Sequence, residues 1–285
     1  MEQVKNVEKP KLPVTTVPLK INTEKKEHFA KRMIPILTFF IVWEIVSRAN
    51  MALELANPMF FPPPSHIAVR AVEMMQEGIV FVSLLSSTLR IFAGFIIGAA
   101  LGIGLALWIG KSKKMEEWAT PILNMIGPIP SLALLPLFII WFGIGEVPKV
   151  ILIAWTVFFP VLTNTVEGIK SVNSNYIRSA LSLGASERQI YRKVILPSVL
   201  PNILSGCQIS LGLAFSALIV SEMMGATSGL GYIIVDARNF FKLSDMYVAI
   251  ILIGIEYSLF SFMLKQVDRR MLSWRQGGFS QAVEK

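Results

Sequence analysis

Long apolar segments recur along this chain, and they restrict its fold more than any other feature. They lie at about 31–49, 84–108, 118–142, 147–169, 199–223 and 246–266. Each is close to the ~20 residues that an α-helix needs to cross a bilayer. With 53% apolar and 16% charged residues, the chain carries more apolar surface than one soluble core usually hides. The sequence therefore predicts an all-α integral membrane protein with six transmembrane helices.

The two ends of the chain differ from this pattern. Residues 1–30 are rich in Lys, Glu, Pro and Val and contain no apolar core of a signal peptide, so we expect a disordered cytoplasmic tail. The membrane domain then occupies residues 31–275, and residues 276–285 form a cytoplasmic C-terminal tail. The first segment is the least regular, because its apolar core runs only from Met33 to Val46 and contains Glu44.

The basic residues of the connections fall mainly on one side of the predicted membrane. With the N-terminus inside, the inner side holds Lys25, Lys26, Lys31, Arg32, Lys111, Lys113, Lys114, Lys170, Arg178, Arg188, Arg192, Lys193, Lys265, Arg269, Arg270 and Arg275. The outer side holds Arg48, Arg70, Lys149, Arg238 and Lys242. The positive-inside rule therefore predicts that both termini are cytoplasmic. This asymmetry explains the net charge of +8 better than nucleic-acid binding does, since the basic residues form no single face with interleaved aromatics.

A polar island at about 170–201 separates two of the apolar segments. Residues 176–183 have the composition and periodicity of a short helix, and Gly184 supplies the flexible residue that commonly ends one. Ser186 and Gln189, three positions apart, form a capping box that starts a second helix at a new angle. The island therefore predicts a helix-turn-helix at the cytoplasmic face.

The second helix of the island is expected to end before the next transmembrane segment begins. Glu187 suits the positive end of its dipole, and the basic pair Arg192 and Lys193 marks its end. Pro197 then leads into the next apolar segment. A short amphipathic helix held between two transmembrane segments is suited to transmit mechanical force from a soluble partner.

The island resembles the "EAA loop" of ABC-importer permeases. The resemblance is carried by the turn that begins at Gly184 and by the proline thirteen residues after it, Pro197. In that family the loop is the coupling helix that docks on the cytoplasmic ATPase. The Glu-Ala-Ala triplet of the family falls on residues 178–180, so the basic Arg178 stands where the family has an acid.

The resemblance implies a coupling element at about residues 172–197 that contacts the ATPase. The residues that it assigns to this contact are Arg178, Ser179, Ala180, Leu183, Gly184, Ala185, Ser186, Glu187 and Pro197. Because an arginine replaces the usual glutamate, the ATPase contact at position 178 is expected to differ from that of the family.

Further motifs resemble one branch of this permease family. They are Phe61-Pro-Pro-Pro-Ser65, Ile129-Pro130-Ser131-Leu-Ala-Leu-Leu-Pro136, Trp141-Phe-Gly-Ile-Gly145, Ser221-Glu222-Met-Met-Gly225-Ala and Ser228-Gly-Leu-Gly-Tyr232 with Asp236-Ala-Arg238. The branch contains permeases for nitrate, taurine, alkanesulfonates and the thiamine pyrimidine precursor. Together the motifs cover about residues 58–275.

Membership of this family would imply a type I ABC importer permease fold with a cytoplasmic coupling helix, in a bacterial inner membrane. The implied partners are a second permease copy, two cytoplasmic ABC ATPase subunits and an extracytoplasmic solute-binding protein. ATP and Mg²⁺ would bind the partner ATPase, and this chain would bind no cofactor of its own.

Charges and prolines inside the apolar segments are candidates for the translocation pathway or its gate. They are Arg90, Pro130, Pro136, Glu222 and Glu256. Prolines are expected to kink the third transmembrane helix. Arg90 either attracts an anionic substrate or lies at the interface with its charge in water. Glu222 either gates or caps a helix, and Glu256 faces the protein interior or a cavity.

Small residues recur at helical spacing in the second apolar segment. Gly94, Gly98 and Gly102 are four residues apart and form a ridge that another helix can approach closely. The partner of this ridge is either a helix of the same chain or a helix of a second copy.

No catalytic or nucleotide-binding pattern is evident in the sequence. Gly110-Lys111-Ser112 resembles the end of a P-loop, but Leu105 stands where the first glycine is required. The single cysteine and the two histidines form no metal site or disulfide framework. A membrane-embedded enzyme would need polar groups converging at one depth, and a channel gives no reason for the helix-turn-helix. The basic residues Arg90, Arg238 and Lys242 favour an anion as the transported substrate. The alternative substrate is a thiamine-precursor pyrimidine.

Overall fold

The computed structural model describes residues 23–54 and 57–275. Every regular element within these ranges is helical, which confirms the all-α class. The α-helices are α1 (Thr23–Leu53), α2 (Pro64–Gln76), α3 (Ile79–Ile109), α4 (Lys113–Ile126), α5 (Leu135–Phe142), α6 (Glu146–Lys170), α7 (Ser174–Ser182), α8 (Glu187–Ile190), α9 (Leu196–Gly225), α10 (Leu230–Asn239) and α11 (Leu243–Met271). Short 3₁₀ turns lie at Pro58–Phe60, Ser131–Leu134 and Ser273–Arg275, and a π-helical turn lies at Tyr191–Ile195.

The chain forms two compact units, one that ends at Pro64 and one that begins at Ser65. The first unit contains α1, which begins at Thr23, within the expected tail, whereas the part of α1 that could cross the membrane is Met33–Leu53. The rest of the expected N-terminal tail, residues 1–22, lies outside the described residues, as does the expected C-terminal tail at 276–285. Within α1, Glu44 accepts a hydrogen bond from Arg48 one turn later, at 2.6 Å, so this intramembrane carboxylate has a cationic partner.

Five helical segments in the described ranges are long and apolar enough to cross a membrane. They are Met33–Leu53, Ile79–Ile109, Glu146–Lys170, Glu187–Gly225 and Leu243–Met271. A sixth crossing is reached only if Lys113–Ile126 and Ser131–Phe142, which are bent by 81° relative to each other, form one broken span. The kinked helix expected over 118–142 is therefore a pair of helices with a break between them.

Prolines explain the break between α4 and α5. Pro128 and Pro130 have no N–H to donate, so the hydrogen bonds of the helix cannot continue past Gly127, and the helix ends at Ile126. Pro136 lies in the first turn of α5, where a missing N–H has no intrahelical partner in any case. We expected Pro130 and Pro136 to kink a helix; instead, one precedes a 3₁₀ turn and the other starts a new helix.

The second helix of the polar island continues into the membrane, which also differs from the expectation. Residues 187–225 are helical without interruption over 39 residues. Because Pro197 cannot donate to the carbonyl four residues earlier, a break was expected near it. The backbone instead widens into the π-turn, in which Leu196 N–H donates to Tyr191 O, and the helix continues through it.

The core of the second unit lies between α3, α6 and α9, with α6 in the middle. Fully buried side chains of α6 include Leu152, Ile153, Val157 and Val161. They pack in one cluster with Ile91 of α3 and with residues of α9 such as Leu211, Ala214 and Leu218. This arrangement places α6 where it can hold the other two helices in register.

The glycine ridge of α3 faces α6 of the same chain. A Cβ added at Gly94 would lie 2.6 Å from the Ile153 side chain, and one at Gly102 would lie 2.8 Å from the carbonyl oxygen of Phe158. Gly98 is in equally close contact with the backbone of Ala154. Of the two partners considered for this ridge, the structure places the intrachain helix against it.

Candidate functional site

The first half of the island is α7, and both of its ends are capped. The Asn173 side chain accepts a hydrogen bond from Asn175 N–H at 2.9 Å at the N-terminus. At the C-terminus Gly184 has φ +78°, Gly184 N–H donates to Leu181 O at 2.9 Å, and Ala185 N–H donates to Ala180 O at 3.0 Å. These two bonds define a Schellman motif.

The second half begins with a reciprocal cap. Gln189 N–H donates to Ser186 Oγ at 3.4 Å, and Ser186 N–H donates to Gln189 Oε1 at 2.8 Å. This is the capping box that the sequence indicates. The chain therefore turns sharply between α7 and α8 with its terminal backbone groups satisfied, so the turn has a defined geometry.

The turn presents apolar side chains to its surroundings. Leu183 is 88% exposed, and Leu181 and Tyr176 are also exposed. Arg178, Ser179 and Glu187 are exposed beside them, whereas Ala180, Ala185 and Pro197 are half-buried. Ile190 is buried, and Val172 and Ile195 pack against the core cluster. These exposed apolar side chains lie together on a capped turn, and such a surface is typical of a contact site for a protein partner.

Tyr191 connects the island to the end of α3. Its hydroxyl donates to Leu107 O at 2.7 Å, and Lys111 Nζ lies 6.0 Å from the centre of its ring. On the neighbouring surface, Lys170 at the end of α6 pairs with Glu116 of α4 at 2.7 Å. The island is thus tied to the ends of two helices of the core.

A second group of functional candidates lies at the opposite ends of α6 and α9. Arg90 of α3 is 5% exposed, and its guanidinium bridges two carboxylates. Nη1 donates to Glu222 Oε1 at 2.8 Å and to the Ser228 carbonyl at 2.7 Å. Nη2 donates to Glu146 Oε1 at 2.8 Å, and Nε donates to the other oxygen of Glu146. Lys149 Nζ donates to Glu146 Oε1 at 3.0 Å. We call Arg90, Glu146, Lys149 and Glu222 the ionic cluster.

Glu222 is also the N-terminal cap of α10. Its Oε2 accepts from Gly231 N–H at 2.8 Å, and Ser87, which donates to Glu222 Oε1 at 2.7 Å, accepts from Leu230 N–H at 3.0 Å. At Gly229, with φ +123°, an added Cβ would lie 2.5 Å from the Glu222 carboxyl carbon. The glycines after α9 therefore let the backbone close over this carboxylate.

Glu256 of α11 lies near the ionic cluster but is held differently. Thr88 donates to its Oε1 at 2.8 Å, and the residue is 5% exposed. Within the described part of the chain, its second oxygen is buried and has no hydrogen-bond partner.

Arg70 occupies a separate, more open position. It pairs with Asp245 at 2.6 Å and with Glu73 and Glu77 at 3.0 and 3.1 Å. The hydrogen bonds from Arg70 to Asp245 and then to Glu73 raise the pKa of this guanidinium further above its usual range. It lines a cavity of about 630 Å³ that also includes Lys242.

Residues 96–273, more than half of the chain, match the family described as binding-protein-dependent transport system inner membrane component. The chain belongs to this family of ABC-importer permeases. It is 36% identical to the putative aliphatic sulfonates transport permease protein SsuC of Bacillus subtilis, over 88% of this chain and 90% of that protein. It is 35% identical to the taurine transport system permease protein TauC of Escherichia coli, over 82% and 85%. It is 30% identical to the formylaminopyrimidine transport permease protein ThiX of Halalkalibacterium halodurans, over 84% and 94%.

A solved structure supports the fold of the permease. The crystal structure of an amino acid ABC transporter with histidines aligns with a TM-score of 0.56 at 20% identity, over 70% of this chain and 97% of that chain. At this identity the likeness shows the fold alone. The permease is therefore a multi-pass inner-membrane protein with the type I importer permease fold and is not the ATPase of its transporter.

The structure brings together only part of the set that the sequence indicated for the pathway of the permease. Arg90 and Glu222 are in direct contact, and Glu256 reaches the same part of α3 through Thr88. Pro130 and Pro136 lie at the break between α4 and α5, outside the ionic cluster. The guanidinium of Arg90 is buried, and its donors are occupied by Glu146, Glu222 and Ser228.

Sequence reasoning missed the remaining members of the ionic cluster. Glu146 and Lys149 appeared as ordinary residues at the start of an apolar segment. Their spacing of three residues at a helix start, directly after the glycines 143 and 145, is a usable signal for a carboxylate and a cation that share one helix face.

Proposed function

We propose that this permease conducts a small anion of the sulfonate, taurine or nitrate type into the cell, driven by ABC ATPase subunits that dock on residues 172–197. One observation carries the coupling part of the proposal. The docking turn and the ionic cluster lie at the two ends of one continuous helix, Glu187–Gly225. At ~1.5 Å per residue, this helix is roughly 60 Å long measured along its axis, and we call it the rod.

A rod of this kind links force at the ATPase to the other side of the membrane. We infer that two permease copies enclose the pathway and that ATP and Mg²⁺ bind the ATPases. Closure of the ATPases would move the two docking turns towards each other. Because α8 continues into α9, that movement would displace Glu222, near the end of the rod, relative to Arg90 on α3. The energy would come from ATP binding and hydrolysis, and it would reach the permease because the two states of the ATPases favour different permease conformations.

The membrane orientation in this proposal has both termini in the cytoplasm. The basic connections that contain Lys111, Lys170 and the island then face the ATPase. The ionic cluster, at the other ends of α6 and α9, faces the extracytoplasmic side. There a solute-binding protein would deliver its ligand.

The nature of the substrate is supported by the relatives and by charge. The two relatives that are 36% and 35% identical carry the names of sulfonate and taurine permeases. Arg238 is exposed in the last turn of α10, Lys242 is exposed just before α11, and both would attract an anion. The alternative is a thiamine-precursor pyrimidine, because a formylaminopyrimidine permease is 30% identical.

The ATPase contact is tested by removing the exposed leucine of the turn. Full burial of a leucine contributes about 1.5–3 kcal/mol, so Leu183→Ser should weaken ATPase association by roughly tenfold or more. Ile144→Ser is the matched control, since Ile144 is 85% exposed at the opposite end of α6. Tagged permease is purified from its native membranes, the ABC ATPase is quantified by mass spectrometry, and ATP hydrolysis is measured.

We expect wild type and Ile144→Ser to retain the ATPase and Leu183→Ser to lose most of it. Equal recovery of the ATPase with both variants would show that residues 172–197 do not form the docking contact. Absence of any ABC ATPase from the wild-type preparation would contradict the proposed assembly.

A further inference from the structure

Glu146 is the exposed member of an otherwise buried ionic cluster. Its side chain is 60% exposed, whereas the side chains of Arg90 and Lys149 are each 5% exposed. Glu222 on the inner side of Arg90 is fully buried. Two buried cations therefore share one carboxylate that faces away from the protein interior.

The donors that converge on Glu146 match the geometry of a free oxyanion. Arg90 presents Nε and Nη2 to the two carboxylate oxygens, and Lys149 Nζ adds a third donor at 3.0 Å. The other terminal nitrogen of Arg90 is occupied by Glu222 and the Ser228 carbonyl. A guanidinium fork binds two oxygens of one planar group with charge-assisted hydrogen bonds, and Glu146 now fills that position.

The charges of the cluster balance only while the position is filled by an anion. Arg90 and Lys149 contribute two positive charges, and Glu146 and Glu222 contribute two negative ones. If the Glu146 carboxylate moves away, one positive charge stays behind in a buried place. Such a charge is costly near the membrane unless it is paired. A monoanion restores neutrality, and an uncharged ligand does not.

Among the members of the cluster, Glu146 is the one that can leave most easily. It is the first residue of α6, and Gly143 and Gly145 precede it. An added Cβ at either glycine would meet no atom within 4 Å, so the turn before Glu146 is in open space. Arg90, Lys149 and Glu222 are enclosed by the packing of α3, α6 and α9 and would have to break that packing to move.

We propose that Glu146 occupies the binding position of a transported oxyanion, which exchanges with the Glu146 carboxylate on Arg90 and Lys149. The ligand class is a small monoanion with at least two terminal oxygens, such as a sulfonate, a carboxylate or nitrate. The proposal rests on the proposed function, because it gives the permease itself a selective step for anions. Arg90 and Lys149 would bind the anion, and Glu146 would compete with it.

The test uses methanesulfonate as probe and the permease–ATPase complex in lipid nanodiscs. Binding of ¹⁴C-methanesulfonate is measured by equilibrium dialysis in Tris chloride, because common buffers such as HEPES and MES are themselves sulfonates. Dimethyl sulfone, which has a similar shape and no charge, is the ligand control. Glu116→Gln is the protein control, since Glu116 also pairs with one cation, Lys170, at the opposite end of α6.

We expect Glu146→Gln to bind methanesulfonate roughly tenfold more tightly than wild type. In wild type the anion must displace a charged competitor. The apparent affinity is therefore the intrinsic affinity multiplied by the fraction of time that the position is vacant. A neutral amide forms hydrogen bonds about half as strong with these cations. Glu116→Gln should bind like wild type. Adding Lys149→Gln to Glu146→Gln should remove most of the gain, because a donor and a charge are lost.

Glu146→Asp is a second variant that keeps the negative charge. Its carboxylate is one methylene shorter and reaches Arg90 less well, so the affinity should lie between wild type and Glu146→Gln. It also serves if the Glu146→Gln complex does not assemble. Unchanged methanesulfonate affinity in the assembled variants, or equal binding of dimethyl sulfone, would overturn the inference.

These outcomes differ from a failure of the proposed function. If the complex hydrolyses ATP and the affinity is unchanged, the permease is an importer subunit without this anion position. If no ABC ATPase assembles with the permease but Glu146→Gln binds the probe more tightly, the anion position stands and the importer assembly fails.

Discussion

The contact between α3 and α6 makes opposite predictions for two glycines of the same helix. Gly98 is buried, and an added Cβ would fall within the contact radius of the Ala154 backbone and 2.9 Å from Val157 Cβ. Gly104 lies six residues later on an exposed face, where an added Cβ meets no atom within 4 Å. Replacing each glycine by alanine therefore distinguishes two contributions to stability, the clash between the packed helices and the better helix propensity of alanine.

The magnitudes follow from these surroundings. At Gly98 the clash is with backbone of a fully packed helix, which has no flexible end to move, so α3 and α6 must separate. Overpacking costs about 1–3 kcal/mol, and an overlap with rigid backbone falls in the upper part of that range, about 2–3 kcal/mol. The better helix propensity of alanine offsets about 1 kcal/mol of this cost. At Gly104 only the second contribution remains. We expect Gly98→Ala to destabilise by about 1–2 kcal/mol and Gly104→Ala to be neutral or stabilising by up to about 1 kcal/mol.

The chain has a built-in reporter for this measurement. Cys207 is its single cysteine and lies 6% exposed in α9, within the same core cluster. A fluorogenic thiol reagent therefore reacts when the core opens on heating. With a shift of roughly 2–4 °C per kcal/mol for a chain of this size, Gly98→Ala should lower Tm by about 2–8 °C. Gly104→Ala should leave it unchanged or raise it slightly.

The sign of the difference between the two variants decides the outcome. If Gly98→Ala is as stable as Gly104→Ala, the two helices have room for a methyl group at Gly98, and the close approach of α3 to α6 is refuted. If both variants lose the same stability, the cause is a general property of glycine in this helix and not the contact with Ala154.

The remaining predictions concern coupling and orientation. Gly184→Val should insert normally but lower substrate-stimulated ATPase activity. A Cβ at this position has open space, but valine resists φ +78°, at a cost of about 1–3 kcal/mol. Full stimulated activity would contradict this prediction. Thr15→Cys and Ser186→Cys, each in a Cys207→Ser background, should stay unlabelled by a membrane-impermeant thiol reagent on intact cells and become labelled when the membrane is opened. Labelling of Ser186→Cys from outside would remove the coupling role of the island.

Local features of the permease could be predicted from sequence because their signals are local. Gly184 and the Ser186–Gln189 pair specify a turn and a cap within a few residues, and the structure contains both. The apolar segments likewise located five candidate membrane-crossing helices, since each carries its own hydrophobic signal, whereas the segment at 118–142 is two helices. The glycine ridge indicated a close helix contact but not which helix makes it.

Features that depend on backbone geometry at proline were predicted less well. The same residue type ends α4 at Pro128, starts α5 at Pro136 and permits a π-turn before Pro197. A proline inside a helix removes one hydrogen bond, whereas a proline in a first turn, such as Pro136, removes none. What the chain does next depends on packing around that position, which a single sequence does not record.

The ionic cluster depends on contacts between distant parts of the chain. Arg90 and Glu222 are 132 residues apart, and Arg90 and Glu146 are 56 residues apart. No periodic pattern connects such positions, so the sequence identified Arg90 and Glu222 as separate candidates. Their pairing follows from the packing of α6 between α3 and α9, which brings the ends of the three helices together.

This placement explains how a small movement could change the state of the permease. The hydrogen bonds of Arg90 to Glu222 and Glu146 are 2.8 Å long, and such bonds are largely lost beyond about 3.5 Å. Helix shifts of about 1–2 Å are common in switching proteins. A shift of that size along the rod from Glu187 to Gly225 is therefore enough to release Glu222 from Arg90. Since Glu222 also caps α10, the same shift would loosen the segment that covers the cluster. We therefore expect the anion affinity of Arg90 and Lys149 to differ between the two states of the ATPase.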